Sequence, residues 1–229
     1  MNRFPEVSSV ASLPTDERPR IFRNIHLFAL LAVGSIAVTL FTNRMVLTDA
    51  AYRALLPDGG GSPSQLEQTI AAMRRWESLG LLISPLLLLT RVAFHALLVQ
   101  LAFLLQGTQL PFSRVFRGAL WAASVTWLGS AMQAIWLASL PPGALSPEQL
   151  GAMPGGLTTL LPALNAVPDE LVLLFQQITV FDLGWVLVFA VALEGGGKAS
   201  AGRSILAVTV VWLASTLSQW GILLYLSGM

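Results

Sequence analysis

The chain has 229 residues, of which 55% are hydrophobic and 11% charged, and 13 Lys+Arg against 12 Asp+Glu give a formal net charge of +1. A mean hydropathy of +0.70 excludes an ordinary water-soluble globule, because such a chain lacks the polar residues needed to cover its own helices. Scattered basic residues exclude a nucleic-acid surface, and the lack of cysteine excludes disulfides, thiolate metal sites and cysteine nucleophiles.

Residues 1 to 20 contain Pro5, Pro14 and Pro19 and no helical periodicity, which predicts a mobile cytoplasmic tail. The apolar run that follows Arg18, Arg20 and Arg23, from about Ile21 to Phe41, is longer than the roughly 7–15 residues of a secretory h-region. No A-x-A cleavage pattern follows it, so it reads as an uncleaved signal anchor and a first span over about 22–42. The next connection carries Pro57 and Gly59-Gly60-Gly61, then Ser62-Pro63-Ser64-Gln65, a capping box with proline at the first helical position. With Leu66, Ile70 and Met73 on one face, the helix it opens is expected to run along the membrane surface into span two.

Span two, about 79–106, is roughly 40 Å long at the α-helical rise and must tilt, bend or protrude, with Pro85 the expected bend. A short basic connection containing Arg114 and Arg117 leads into span three, about 115–140, which Pro141-Pro142-Gly143 stops. The third connection holds a second capping box, Ser146-Pro147-Glu148-Gln149, and predicts another short surface helix. Pro168-Asp169-Glu170 starts the helix that leads into span four, about 171–193, and residues 168–178 fit either a surface helix or the outer part of that span. After Gly195-Gly196-Gly197-Lys198, span five covers about 204–226.

The fold expected is therefore all-α: residues 21–229 as one polytopic bundle of five transmembrane helices, with short amphipathic surface helices in the outer connections. Arg3, Arg18, Arg20, Arg23, Arg114, Arg117, Lys198 and Arg203 fall on one side of such a bundle, and Arg44, Arg53, Arg74 and Arg75 on the other. The excess of basic residues predicts an N-terminus in the cytoplasm and a C-terminus outside.

Arg91 is the first candidate for function, because an arginine near the middle of span two costs about 2.5–3.5 kcal/mol to insert. His95 follows at i+4 and Gln106 eleven residues later, so the three share one helix face. On span four, Gln176, Thr179 and Asp182 form a second polar stripe. Counted from Pro168, Asp182 lies about 21 Å along its helix, a depth comparable with Arg91. An intramembrane network of Arg91, His95 and Asp182 follows, serving either as a proton or ion path or as a structural bridge that sets helix register.

No catalytic, cofactor or metal set is expected. The Gly195–Lys198 turn has Ala192 and Ala199 where a phosphate loop needs glycine and a hydroxyl. No H-E-x-x-H or G-x-S-x-G pattern occurs. Tryptophans such as Trp76, Trp121, Trp136, Trp185 and Trp220 fit interfacial anchors. Ala122, Ser130, Ala134 and Gly184 permit close helix contacts.

Gly107, Pro111-Phe112-Ser113-Arg114-Val115-Phe116-Arg117, Val180-Phe181-Asp182-Leu183-Gly184-Trp185 and Ala199-Ser200-Ala201-Gly202-Arg203-Ser204-Ile205-Leu206 resemble the Yip (Ypt-interacting protein) domain family of five-span membrane proteins. The resemblance implies a non-enzymatic accessory or assembly subunit, with lipids and other membrane subunits as partners, such as the permease of a MacB-type ABC exporter or its periplasmic adaptor. The tail lacks the Asp-Leu-Tyr-Gly-like motif of members that engage small GTPases. From the residues alone, a small ion or solute transporter using Arg91, His95 and Asp182 is the other reading, and bilayer shaping by the surface helices a third.

Overall fold

A computed structural model describes residues 18–49, 51, 63–141, 155–160, 168–194 and 199–227. Over these residues the chain is helical: α1 (Arg18–Phe41), α2 (Pro63–Leu105), α3 (Phe112–Ala138), the single turn α4 (Leu157–Leu160), α5 (Asp169–Gln177), α6 (Val180–Glu194) and α7 (Ala201–Ser227). A π-helical turn, Thr42–Val46, extends α1. Pro63 is the first residue of α2, as expected of its place in the first capping box, while Ser62, the second box at Ser146, the Gly59–Gly61 and Gly195–Lys198 turns and most of the tail lie outside the described residues.

Among the described residues, three helical stretches are long and apolar enough to cross a membrane: Asn24–Val46, Glu67–Leu105 and Ala201–Tyr225. Their outward faces carry large apolar side chains, Leu82 at 79% and Leu30 at 69% exposure among them, a surface that water does not tolerate over such an area. The 27-residue α3 has the length for a crossing, about 40 Å, but it is not among these three, its apolar positions being filled largely by alanine rather than leucine. Its place in the bundle gives the reason. It packs against α1, α2 and α6, so its contact positions are filled by small residues that let backbones approach. Ala119, Ala122 and Ala134 are buried there, and Gly184 of α6 lies where an added Cβ would sit 3.0 Å from Val125.

Two segments differ from their expected form. The surface helix and span two are one uninterrupted helix, α2, 43 residues long and continuous through Pro85. At roughly 65 Å it is about twice the thickness of a bilayer core. Span four, by contrast, is broken. Ile178 adopts extended backbone (φ −91°, ψ 116°) between α5 and α6, leaving α6 with 15 residues, about 22 Å and short of the roughly 30 Å core. Ile178, Thr179 and Val180 are three successive β-branched residues, which favour extended over helical backbone.

The core runs along one face of each long helix. Val92, Ala96, Val99 and Phe103 of α2 meet Val115, Ala119 and Leu120 of α3, Trp185, Phe189 and Leu193 of α6, and Ala207, Val208 and Val211 of α7, each set at helical spacing. At one end, Gly107 (φ +70°) closes α2 in a Schellman turn. Thr108 N–H donates to the Phe103 carbonyl and Gly107 N–H to that of Leu104. Arg203, at the start of α7, donates to Thr108 Oγ1 at 3.2 Å, tying the connections before α3 and before α7 together. At the end of α1, Arg74 of α2 donates to Asp49 Oδ1 (2.7 Å), Glu77 Oε2 (3.1 Å) and the Asn43 carbonyl (3.2 Å).

Candidate functional site

The break between α5 and α6 is held on both sides. A short stretch ahead of it pairs with the exposed backbone: Leu157 N–H donates to the Ile178 carbonyl (2.9 Å), and Val180 N–H to the Gly155 carbonyl (3.1 Å). Gly156 and Thr179 form an antiparallel bridge. Gly155 has φ +84°, and a Cβ there would lie 3.0 Å from Val180 Cγ2, so both conformation and space require glycine.

Thr179 and Asp182 then cap α6 reciprocally. Asp182 Oδ2 accepts from Thr179 N–H (2.8 Å) and from the Thr179 hydroxyl (2.6 Å), while Thr179 Oγ1 accepts from Asp182 N–H (3.2 Å). The carboxylate also sits in the first turn, where it complements the helix dipole.

Against this capped end lies a polar cavity of about 50 Å³, lined by Arg91 and His95 of α2, Thr126 of α3, Gln177 of α5, Asp182 and Trp185 of α6, and Trp212, Ser215, Thr216 and Gln219 of α7. A second, larger cavity of about 170 Å³ adjoins it and shares Arg91, His95, Thr126 and Trp185. It extends between α1, α2 and α3 and is lined by Ser35, Val38, Thr39, Leu88, Val92, Ala119, Ala123, Trp127 and Ser130.

Arg91 and Asp182 thus face one cavity without touching. Asp182's charge acts on Arg91 across the space, yet among the described residues no ion-pair contact joins them. Although protein surrounds most of it, Arg91 keeps a large accessible surface and lines both cavities. Nearby polar groups are likewise unspent. Among the described residues, neither the buried amide N and O of Gln177 nor Trp127 Nε1 finds a hydrogen-bond partner, each at a cost of about 1–3 kcal/mol. His95 is held by its own helix: Nδ1–H donates to the Arg91 carbonyl at 2.8 Å, which leaves Nε2 as the ring acceptor. Its ring meets Trp185 edge-on, 5.2 Å between centroids.

The three residues singled out in sequence therefore line a common cavity, whereas Gln106 lies just past the end of α2 and lines neither cavity. Gln177 takes the place expected of Gln176, because the helix ends there. Trp185, read as an interfacial anchor, is 9% exposed in the core. Ser215, Thr216 and Gln219 went unremarked, although their i, i+1, i+4 spacing in an apolar helix marks one polar face. No family model, curated protein or solved structure matches the chain, so function has to be argued from the cavities themselves.

Proposed function

We propose that the chain is a non-enzymatic, five-crossing protein of a bacterial inner membrane that binds a small polar solute within the bilayer and helps it across. The observation that carries this reading is Arg91, which lines two adjoining cavities with no carboxylate bonded to it among the described residues. An intramembrane arginine is expensive, and one that faces internal space is best explained by what that space admits. The broken α5–α6 element beside it supports the same reading, since discontinuous helices recur where membrane proteins bind polar solutes. In this arrangement α3 and the α5–α6 pair supply the two further crossings.

The natural lack of cysteine makes the test direct. Single cysteines at Ser215 and Thr126 should react with a membrane-impermeant thiol reagent added from the aqueous side, while one at Leu187, on the outer face of α6, should not. Equal protection at Ser215, Thr126 and Leu187 sinks the reading.

A second reading, an accessory subunit of a membrane complex as the Yip resemblance implies, is favoured by the ordered outer segments. The Arg74 clasp on Asp49 and Asn43 and the pairing of Gly155–Leu157 with the helix break give those segments a fixed shape for a permease or adaptor to recognise. Purification in mild detergent should then retain a stoichiometric partner, and recovery of a lone monodisperse chain counts against it.

A further inference from the structure

We infer that the ligand of the Arg91 cavity is a small zwitterion of the α-amino-acid type, with its carboxylate on Arg91, its ammonium on Asp182 and an apolar side group in the larger cavity. This rests on the solute-binding reading above and names the substrate class.

The argument begins with charge. Arg91 and Asp182 line the same polar cavity, and no ion-pair contact joins them. Asp182 Oδ2 is committed to the Thr179 cap, and the residue as a whole lines the cavity with Arg91. In a low-dielectric interior a net charge is far more costly than a compensated pair. A simple anion would satisfy Arg91 and leave the Asp182 charge opposed to it, and a simple cation would do the reverse. A ligand that carries both charges and no net charge satisfies the two walls together.

Geometry agrees with charge. The guanidinium offers the planar fork that a carboxylate accepts in two parallel hydrogen bonds. An ammonium has three donors, and the cavity that Asp182 lines supplies acceptors in Ser215, Thr216 and Gln177, the last with a buried amide that no group among the described residues satisfies. Beyond Thr126 and Trp185, which line both, the larger cavity is mainly apolar, with Val38, Leu88, Val92, Ala119 and Ala123 alongside the hydroxyls of Ser35, Thr39 and Ser130. Its volume of about 170 Å³ is comparable with apolar cavities of about 150 Å³ that hold benzene. That size suits a branched aliphatic or phenyl group.

The test uses the full chain purified in detergent, with intrinsic tryptophan fluorescence as the readout, because Trp127, Trp185 and Trp212 line the cavities. Three probes separate the charges: L-leucine, 4-methylpentanoate, which lacks the ammonium, and 3-methylbutylamine, which lacks the carboxylate. L-leucine is expected to bind saturably and at least about tenfold more tightly than either analogue. Asp182→Asn should weaken leucine about tenfold or more while sparing 4-methylpentanoate, since asparagine keeps a capping oxygen and loses only the charge. Arg91→Gln should abolish the response to 4-methylpentanoate. If that variant does not fold, Ser215→Leu, which fills the polar cavity and leaves both charges in place, should abolish leucine binding.

Equal affinity for leucine and 4-methylpentanoate, indifferent to Asp182→Asn, overturns the zwitterion and leaves a site for anions. No binding of any probe, with Ser215→Cys still labelled from water, overturns the inference and leaves the solute-binding reading standing. Protection of Ser215→Cys removes the reading itself.

Discussion

Asp182 does two things with one carboxylate, and they can be separated by substitution. One oxygen closes the first turn of α6 through Thr179, and the charge faces Arg91 across the cavity. Asp182→Ala removes both and should destabilise the protein by about 1 kcal/mol through the lost cap alone. Asp182→Asn should cost a few tenths, because an amide oxygen still accepts from Thr179. Thermal unfolding in detergent with the two variants side by side checks this, and equal losses would show that charge rather than capping dominates. The Thr179-x-x-Asp182 spacing is a capping-box pattern plainly present in the sequence, but amid a long apolar run it reads more readily as a stripe along one continuous helix.

At the level of elements, α3 is the part on which the bundle closes, and its glycines are where that closure is tightest. An added Cβ at Gly129 would lie 2.9 Å from Phe181 Cγ of α6, and at Gly34 of α1 it would lie 2.8 Å from the Trp127 ring of α3. Gly129→Ala and Gly34→Ala should each therefore cost about 1–3 kcal/mol by overpacking. Gly221→Ala, with nothing within 4 Å, should be neutral or stabilising by up to about 1 kcal/mol, as alanine is the better helix former. A melting series that fails to rank the three this way would place α3 elsewhere in the bundle. Hydrophobic periodicity and length are enough to read α1, α3, α7 and the apolar part of α2 as helices in the sequence, but not the unbroken run of α2 from Pro63 to Leu105. They could not separate α5 from α6, because Ile178-Thr179-Val180 is as apolar as a helix needs and its preference for extended backbone is realised only when Gly155 and Leu157 arrive to bond it.

For the molecule as a whole, chain direction is a prediction in its own right. Reporter fusions at the N-terminus and at Lys198 should report a cytoplasmic location, and those at Gly60 and the C-terminus an external one. An even number of crossings would invert the relation between Arg203 and Arg74, which stand at the connections before α7 and after α1. The candidate site was legible only where a residue was costly. Arg91, His95 and Asp182 stand out because polar groups in apolar helices are rare, whereas Gln177 and Trp185 acquire their roles from a helix break and from packing that composition does not encode.

Thr126 and Trp185 belong to the boundary of both chambers, and a shared lining has a mechanical corollary. Any displacement of either side chain alters the shape of both chambers at once. Filling the apolar side would then reshape the charged side without a hinge elsewhere, so head and tail of a guest would be sensed jointly, as a single length.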